Sequence, residues 1–201
     1  MRYETAGVTE SLLNSAENEF LQYGFKEASL RRISAASGVS TNSIYTRFGD
    51  KAGLFRAVVK EAADGLMEIY LDSIEKARAS LDAIHAIEEG SEGTDVVLKY
   101  IYRNKNKFKL IFCMSTGTEY ETYFDELAAI EESYYKMFAA KYARGNRKID
   151  DFFLHVYCRT GWQYMYEVLT HDKTYEEAKK YMDNVRLFNY AGWKAILGIT
   201  E

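Results

Sequence analysis

The 201-residue chain contains no proline. Proline normally supplies about one residue in twenty and breaks helices by removing a backbone donor, so its absence leaves room for long uninterrupted helices. Cysteine is nearly as scarce: Cys113 and Cys158 alone exclude a disulfide framework and a four-cysteine zinc site. No apolar run approaches the roughly 20 residues that span a bilayer, and the opening MRYETAGVTESLL lacks the pattern of a secretory signal. No segment alternates with period two over a strand length, and nothing recurs at a fixed period. Gly90 and Gly93 are too few for a phosphate-binding loop and lack the lysine that would end one. His85, His155, His171 and the two cysteines stand at no recognised metal or nucleophile spacing. The expectation is therefore a non-enzymatic cytoplasmic protein with reduced thiols, no metal, no cofactor and no membrane partner.

Hydrophobic residues make up 47% of the chain and aromatics 15%, which excludes a largely disordered polymer. The net charge of −4 hides an asymmetry: residues 1–60 carry +2 and the remainder −6. Between Lys26 and Lys60 stand seven basic residues and two acidic ones. A basic segment on an acidic body suits a small nucleic-acid-binding module, although a charge run of this size is also a common solvated face.

Hydrophobic spacing is helical nearly everywhere. Leu12, Leu13, Ala16 and Phe20 predict a helix capped by Thr9 and ended at Gly24. Ser29 and Ser40 are placed to cap two short helices, separated by Gly38. Asp50 precedes a long helix to about Arg78. Weaker helices are expected over residues 81–87 and 94–103, with the glycine-containing stretch 89–93 as a loop between them. A short helix near 105–114, a long one over 120–142 and a final pair over 149–170 and 174–197 complete an all-α chain of about nine or ten helices. Residues 1–50 are expected to form a helix-turn-helix head and residues 51–201 a helical ligand-binding and dimerisation body.

Two short helices joined by Ser37-Gly38-Val39-Ser40 suit a helix-turn-helix, whose tight turn favours glycine. Ile44 and Phe48 of the third helix point inward, leaving Ser40, Thr41, Asn42, Ser43, Thr46 and Arg47 outward. Such side chains hydrogen-bond base edges and phosphates in a major groove, but a polar helical turn facing solvent would look the same.

The stretch LLNSAENEFLQYGFKEASLRRISAASGVSTNSIYTRFGDKAGLFRAVV resembles the amino-terminal DNA-binding domain of TetR-family transcriptional repressors. Ala16, Phe20, Gly24-Phe25, Ser29, Ile33, Gly38-Val39-Ser40, Ile44-Tyr45, Phe48, Lys51 and Leu54-Phe55 carry the likeness in register. The resemblance implies a repressor that binds double-stranded operator DNA as a homodimer. It implies backbone contacts from Tyr45 and Lys51, a phosphate-touching helix cap at Ser29, and groove contacts from Thr41, Asn42, Ser43, Thr46 and Arg47. Arg31 is a further candidate for phosphate, and Tyr45 has the alternative of a half-buried core aromatic. Asn42 stands where the family commonly has glycine, and Gly53 replaces a common acidic residue, which would loosen the start of the fourth helix. Arg2 is the sole basic residue ahead of the first helix.

Fourteen of the 17 tyrosines lie after residue 60. These aromatics could fill a core or line a pocket for a small apolar or aromatic effector, as the resemblance implies. Met67, Tyr70, Phe112 and Tyr123, with Arg159 and Gln163 from a polar stripe that starts at His155, are the candidate ligand residues. Arg159 has three alternatives: a ligand carboxylate, a glutamate of the same body, or solvent at a dimer edge. Phe152, Val156 and Trp162 on one carboxy-terminal helix, and Val185, Phe188 and Trp193 on the other, are the candidate dimer interface. The competing function is a constitutive TetR-like DNA-binding protein whose body makes only protein contacts; a cavity in the body would speak for an effector.

Overall fold

The computed structural model describes residues 6–199, and among them the chain is all-α. The helices are α1 (Ala6–Glu27), α2 (Leu30–Ser37), α3 (Thr41–Phe48), α4 (Lys51–Ala79), α5 (Ala83–Arg103), α6 (Lys105–Cys113), α7 (Tyr123–Tyr142), α8 (Asp151–Thr170) and α9 (Tyr175–Leu197), with one 3-10 turn at Glu119–Thr122. No helix among the described residues is long and apolar enough to cross a membrane. Two compact units form, one from residues up to Gly65 with Asn104–Tyr123, the other from Leu66–Arg103 with the residues from Phe124 onward. The first half of α4 and all of α6 thus accompany α1–α3 in the first unit.

Local chemistry sets the short helices of the first unit. The Ser29 and Ser40 backbones are extended, and their hydroxyls accept the Arg32 and Ser43 backbone N–H groups at 3.5 and 3.2 Å. Gly38 ends α2 at φ 71°, in the left-handed region where a side chain would be strained. The Ser37 hydroxyl tightens the turn, donating to the Ile33 carbonyl at 2.8 Å and accepting the Val39 N–H at 3.2 Å. Ile33, Val39 and Ile44 are buried there, the shared core of the two helices. Thr9 does not cap α1: the helix is already formed at Ala6, and the Thr9 hydroxyl instead accepts a hydrogen bond from Arg47.

Aromatic rings hold this unit together. Phe55 of α4 meets Phe20 and Phe25 edge-on at 5.0 and 5.5 Å, and Tyr120 at 6.2 Å. Gly24, at φ 69° and ψ 168°, breaks the helical backbone so that the Phe25 N–H reaches the Met114 carbonyl at 3.1 Å. A buried carboxylate ties α1 to α2. Glu19 accepts the Ser29 backbone N–H and the Arg32 Nε, both at 2.8 Å. Arg32 also donates to the Glu27 carbonyl at 2.8 Å and lies over the Tyr23 ring at 4.2 Å. Burial alone would raise the Glu19 pKa, but the Arg32 and Ser29 hydrogen bonds, with the Arg32 and Lys51 charges, outweigh it and hold the carboxyl below its ordinary value.

The second unit departs from the sequence pattern most at α5. Residues 89–93, expected as a loop, are helical, and α5 runs unbroken from Ala83 to Arg103. Gly93 does not stop the helix; it lets α5 approach α4 so closely that a Cβ there would stand 2.8 Å from the Ser73 Cβ. Glycine weakens a helix by only about 1 kcal/mol, which packing across so close a contact can offset. Tyr120 likewise lies in the 3-10 turn, so α7 begins at Tyr123. The last two helices start at strong caps: the Asp150 carboxylate accepts the Phe153 N–H at 3.0 Å, and Thr174 and Glu177 form a reciprocal capping box. Trp193 stacks on Tyr135 at 4.8 Å and donates to the Tyr157 hydroxyl at 2.8 Å.

The two α5 glycines should respond oppositely to substitution. Gly90 faces open space, so Gly90→Ala is expected to stabilise the fold by about 0.5–1 kcal/mol. Gly93→Leu would drive a side chain into Ser73 and is expected to destabilise by about 1–3 kcal/mol. Urea denaturation measures both, and equal effects would remove the close-approach account of Gly93.

Glu19 makes a pH-dependent contribution. Because its folded pKa is depressed, its stabilisation is present above the ordinary carboxylate pKa of about 4.3 and is lost as pH falls through the lower folded value. Glu19→Gln is therefore expected to flatten the acid limb of the stability profile below about pH 4.3, while Glu19→Ala loses about 1–3 kcal/mol at neutral pH. An unchanged acid limb in Glu19→Gln would show that the carboxylate charge plays no part.

Candidate nucleic-acid interface and core cavity

The two capped helices present one polar face. Asn42 and Thr46 of α3 are exposed, Tyr45 is 54% exposed, and Thr41 and Ser43 are half-buried. Tyr45 is thus not a core aromatic; Ile44 fills the inward position. Ser40, also exposed, has its hydroxyl committed to the cap, and the Thr46 hydroxyl donates back to the Asn42 carbonyl at 2.8 Å. Arg31 is exposed on α2. Arg47 is half-buried and donates to Thr9, so its guanidinium is partly committed to α1.

Lys51 opens α4 and reaches back to the α1–α2 junction. Its ammonium donates to the Lys26 and Ala28 carbonyls at 2.9 and 3.0 Å and lies 4.7 Å from the Phe25 ring centre. This places it beside Ser29, whose backbone N–H and hydroxyl serve Glu19 and the cap. An ammonium has three donors, so one remains after the two carbonyls. Gly53 does not loosen this corner. Its N–H bonds the Asp50 carboxylate at 2.7 Å, and a Cβ there would fall on the Phe48 carbonyl oxygen. The glycine therefore permits the tight α3–α4 corner that an acidic residue would obstruct. Arg2 lies outside the described residues.

The expected ligand residues do not converge. Tyr70 lines a cavity of about 140 Å³ inside the second unit. Phe112 and Tyr123 belong instead to the aromatic cluster of the first unit, where the Tyr123 hydroxyl donates to the Ala63 carbonyl at 2.7 Å. Met67 is half-buried on α4 and does not line the cavity. The polar stripe of α8 lies on the surface: His155 pairs with Glu132 at 2.8 Å, Arg159 with Asp125, and Gln163 donates to Glu167 at 2.6 Å. Arg159 has thus found a carboxylate of its own unit, an aspartate rather than a glutamate.

The expected interface residues also divide. Phe152 and Phe188 are each 72% exposed and Val156 44%, with Leu187 at 69% beside them in sequence. Trp162 and Trp193 are buried, and together with Val185 they line the cavity.

Sequence reasoning missed Glu131. It lines the cavity from α7, and burial pushes its carboxyl up to about 8, the nearby Trp162 indole offsetting only part of the effect. Its signal was present: Leu127, Glu131, Tyr134 and Phe138 repeat at helical spacing, and the other three are buried. Glu19 and Arg32 were missed as well, because a contact between two helices has no fixed sequence spacing.

Residues 12–58 match the family described as bacterial regulatory proteins, tetR family. The HTH-type transcriptional repressor AcnR of Corynebacterium glutamicum is 32% identical over 75 residues, 36% of this chain and 40% of that protein. The HTH-type transcriptional repressor BepR of Brucella suis biovar 1 is 33% identical over 70 residues, 35% of this chain and 34% of that protein. The chain thus spans about two-fifths or less of the length of these relatives. A transcriptional regulator (TerR/AcrR family) from Aquifex aeolicus VF5 shares the fold over 90% of this chain and 99% of its own, with a TM-score of 0.63 at 13% identity. The matched segment coincides with the capped α2–α3 pair and its α1 and α4 supports. Residues 12–58 thus carry a domain of the tetR family of bacterial regulatory proteins.

Proposed function

We propose that the protein is a homodimeric transcriptional repressor that leaves a near-palindromic operator when a small apolar or aromatic effector enters the second unit. The carrying observation is the α3 face: Asn42, Tyr45 and Thr46 are exposed on a helix fixed by two serine caps and the Lys51 staple. Exposed hydrogen-bonding side chains on a rigid short helix are what major-groove readout requires. The proposed groove residues are Thr41, Asn42, Ser43 and Thr46, with Arg47 partly held by Thr9. Tyr45, Arg31 and Lys51 are the proposed phosphate contacts, and Ser29 supports them through the cap.

The cavity favours effector control over the constitutive alternative. It is lined by apolar and aromatic side chains with a few polar groups, the composition of a small-molecule site. Tyr70, Ser73 and Ile74 of α4 line it, and the same helix begins at Lys51. A bound effector that moves the Tyr70 end of α4 would change how the other end presents Lys51. Coupling energies of this kind are usually about 1–3 kcal/mol, roughly 5- to 150-fold in operator affinity. Phe152, Val156 and Phe188 leave an apolar surface on α8 and α9 that a second copy would cover in a two-fold four-helix arrangement.

Three outcomes are expected. Light scattering should give a dimer at micromolar concentration and Phe188→Asp should shift it toward monomer; a stable wild-type monomer would sink the assembly. In fluorescence anisotropy the operator affinity should fall with salt at a log–log slope near −5, as expected for roughly six neutralised phosphates. Lys51→Ala should weaken binding to every sequence and make that slope shallower, whereas Asn42→Ala should change base preference and leave the slope alone. If both variants lose affinity equally on all sequences, this assignment of roles fails.

A further inference from the structure

The cavity of the second unit carries a chemical preference that its aromatic lining alone does not state. Glu131 enters from α7 and faces α8 at Gly161, where an added Cβ would stand 3.6 Å from its carboxylate. The lining groups near it are Tyr70 on α4, Tyr134 and Tyr135 on α7, and Tyr157 and Trp162 on α8. Cys158 on α8 is close enough to feel its charge. None of these groups is a cation. The cation that does line the cavity, Arg186 of α9, is held at 2.5 Å by Asp95 of α5 and lies 3.8 Å from Asp183. Lys136 and His155, on the outer side of α7 and α8, are engaged by Glu132 at 2.8 Å each. The cavity therefore combines one carboxyl lacking a cationic partner among the described lining groups with several aromatic rings, whose faces attract positive charge. Its lining cation, Arg186, already faces two carboxylates.

Building on the effector-responsive reading above, we infer that the cavity binds a compact arylalkyl ammonium ion, its positive nitrogen against the Glu131 carboxylate and its ring among Tyr70, Tyr135, Tyr157 and Trp162. The volume of about 140 Å³ is on the scale of the roughly 150 Å³ cavity that admits a benzene ring. Burial keeps the empty-site carboxyl protonated at neutral pH, with its pKa pushed up to about 8. A cation that needs the ionised form must then displace that proton. Binding releases one proton to solvent, and affinity rises with pH until the carboxyl is ionised without help.

Benzyltrimethylammonium separates these ideas, because it carries no ionisable proton and any proton released comes from the protein. Isothermal titration of the full chain, in buffers of different ionisation enthalpy at pH 7, is expected to show close to one proton released. Affinity should rise about tenfold per unit between pH 5.5 and 7.5 and flatten above about pH 8. Glu131→Gln should lose about tenfold or more of the ammonium affinity, abolish proton release and leave neopentylbenzene, the neutral isostere, bound as before. If Glu131→Gln fails to fold, the wild-type proton count and pH slope decide alone. Neopentylbenzene binding as tightly as the ammonium, or binding without proton release, overturns the ammonium assignment. Should neopentylbenzene also release operator DNA, the effector-responsive repressor survives that failure. Ammonium binding with the stated proton release but no effect on operator affinity upholds the site and removes the regulatory reading. Absence of binding by either probe at millimolar concentration overturns both.

Discussion

The Glu19 carboxylate is the hinge of the head's construction. A buried acid must be paired, and this one takes a backbone donor from Ser29 and a guanidinium nitrogen from Arg32. Both partners sit at the start of α2, so one side chain of α1 determines where that helix begins and how it is rotated. Lys51 secures the same junction from α4 through two carbonyls. The exposed face of α3 follows from that corner, since α2 and α3 are joined by only three residues and share the buried Ile33, Val39 and Ile44. The orientation of the α3 face thus depends on an ion pair made between α1 and α2.

Glycine is used here for proximity as much as for turning. Gly38 and Gly24 adopt positive φ, the role that sequence reasoning assigns to glycine. Gly93 and Gly53 do not: their conformations are ordinary, and what matters is the neighbour each admits, Ser73 in one case and the Phe48 carbonyl in the other. Local propensity reads every glycine as a weak point. Packing decides whether the missing Cβ is a loss or a clearance, and in α5 clearance prevails over a full helical span.

The aromatic content serves three purposes that composition cannot separate. In the first unit Phe20, Phe25, Phe55 and Tyr120 form a cluster that binds α1, α4 and the 3-10 turn. In the second, Tyr135, Tyr157 and Trp193 form a hydrogen-bonded and stacked wall to a cavity. Phe152 and Phe188 point outward. Tyr70 and Tyr123, equally plausible as ligand contacts in the sequence, end in different units because they belong to different clusters. The surface stripe His155–Arg159–Gln163 shows the opposite error: polar residues at every fourth position among aromatics look like buried specificity groups, yet they mark the solvent face of α8 and pair with acids there.

The sequence by itself determined what is local. Serine caps, the Gly38 turn, helical periodicity without proline and a head motif spread over fewer than fifty residues are each legible within one or two helical turns. These features specify the all-α class, the capped α2–α3 pair and its outward polar residues, because side chain and backbone partner lie three or four positions apart. Tertiary structure alone decided the rest. The Glu19–Arg32 pair, the commitment of Arg47 to Thr9, the inward turn of Trp162 and Trp193 and the seclusion of Glu131 all join residues from different helices. Helical period tells which residues share a face; it does not tell which neighbouring helix that face meets, and the energy of a buried charge or ring depends on that neighbour.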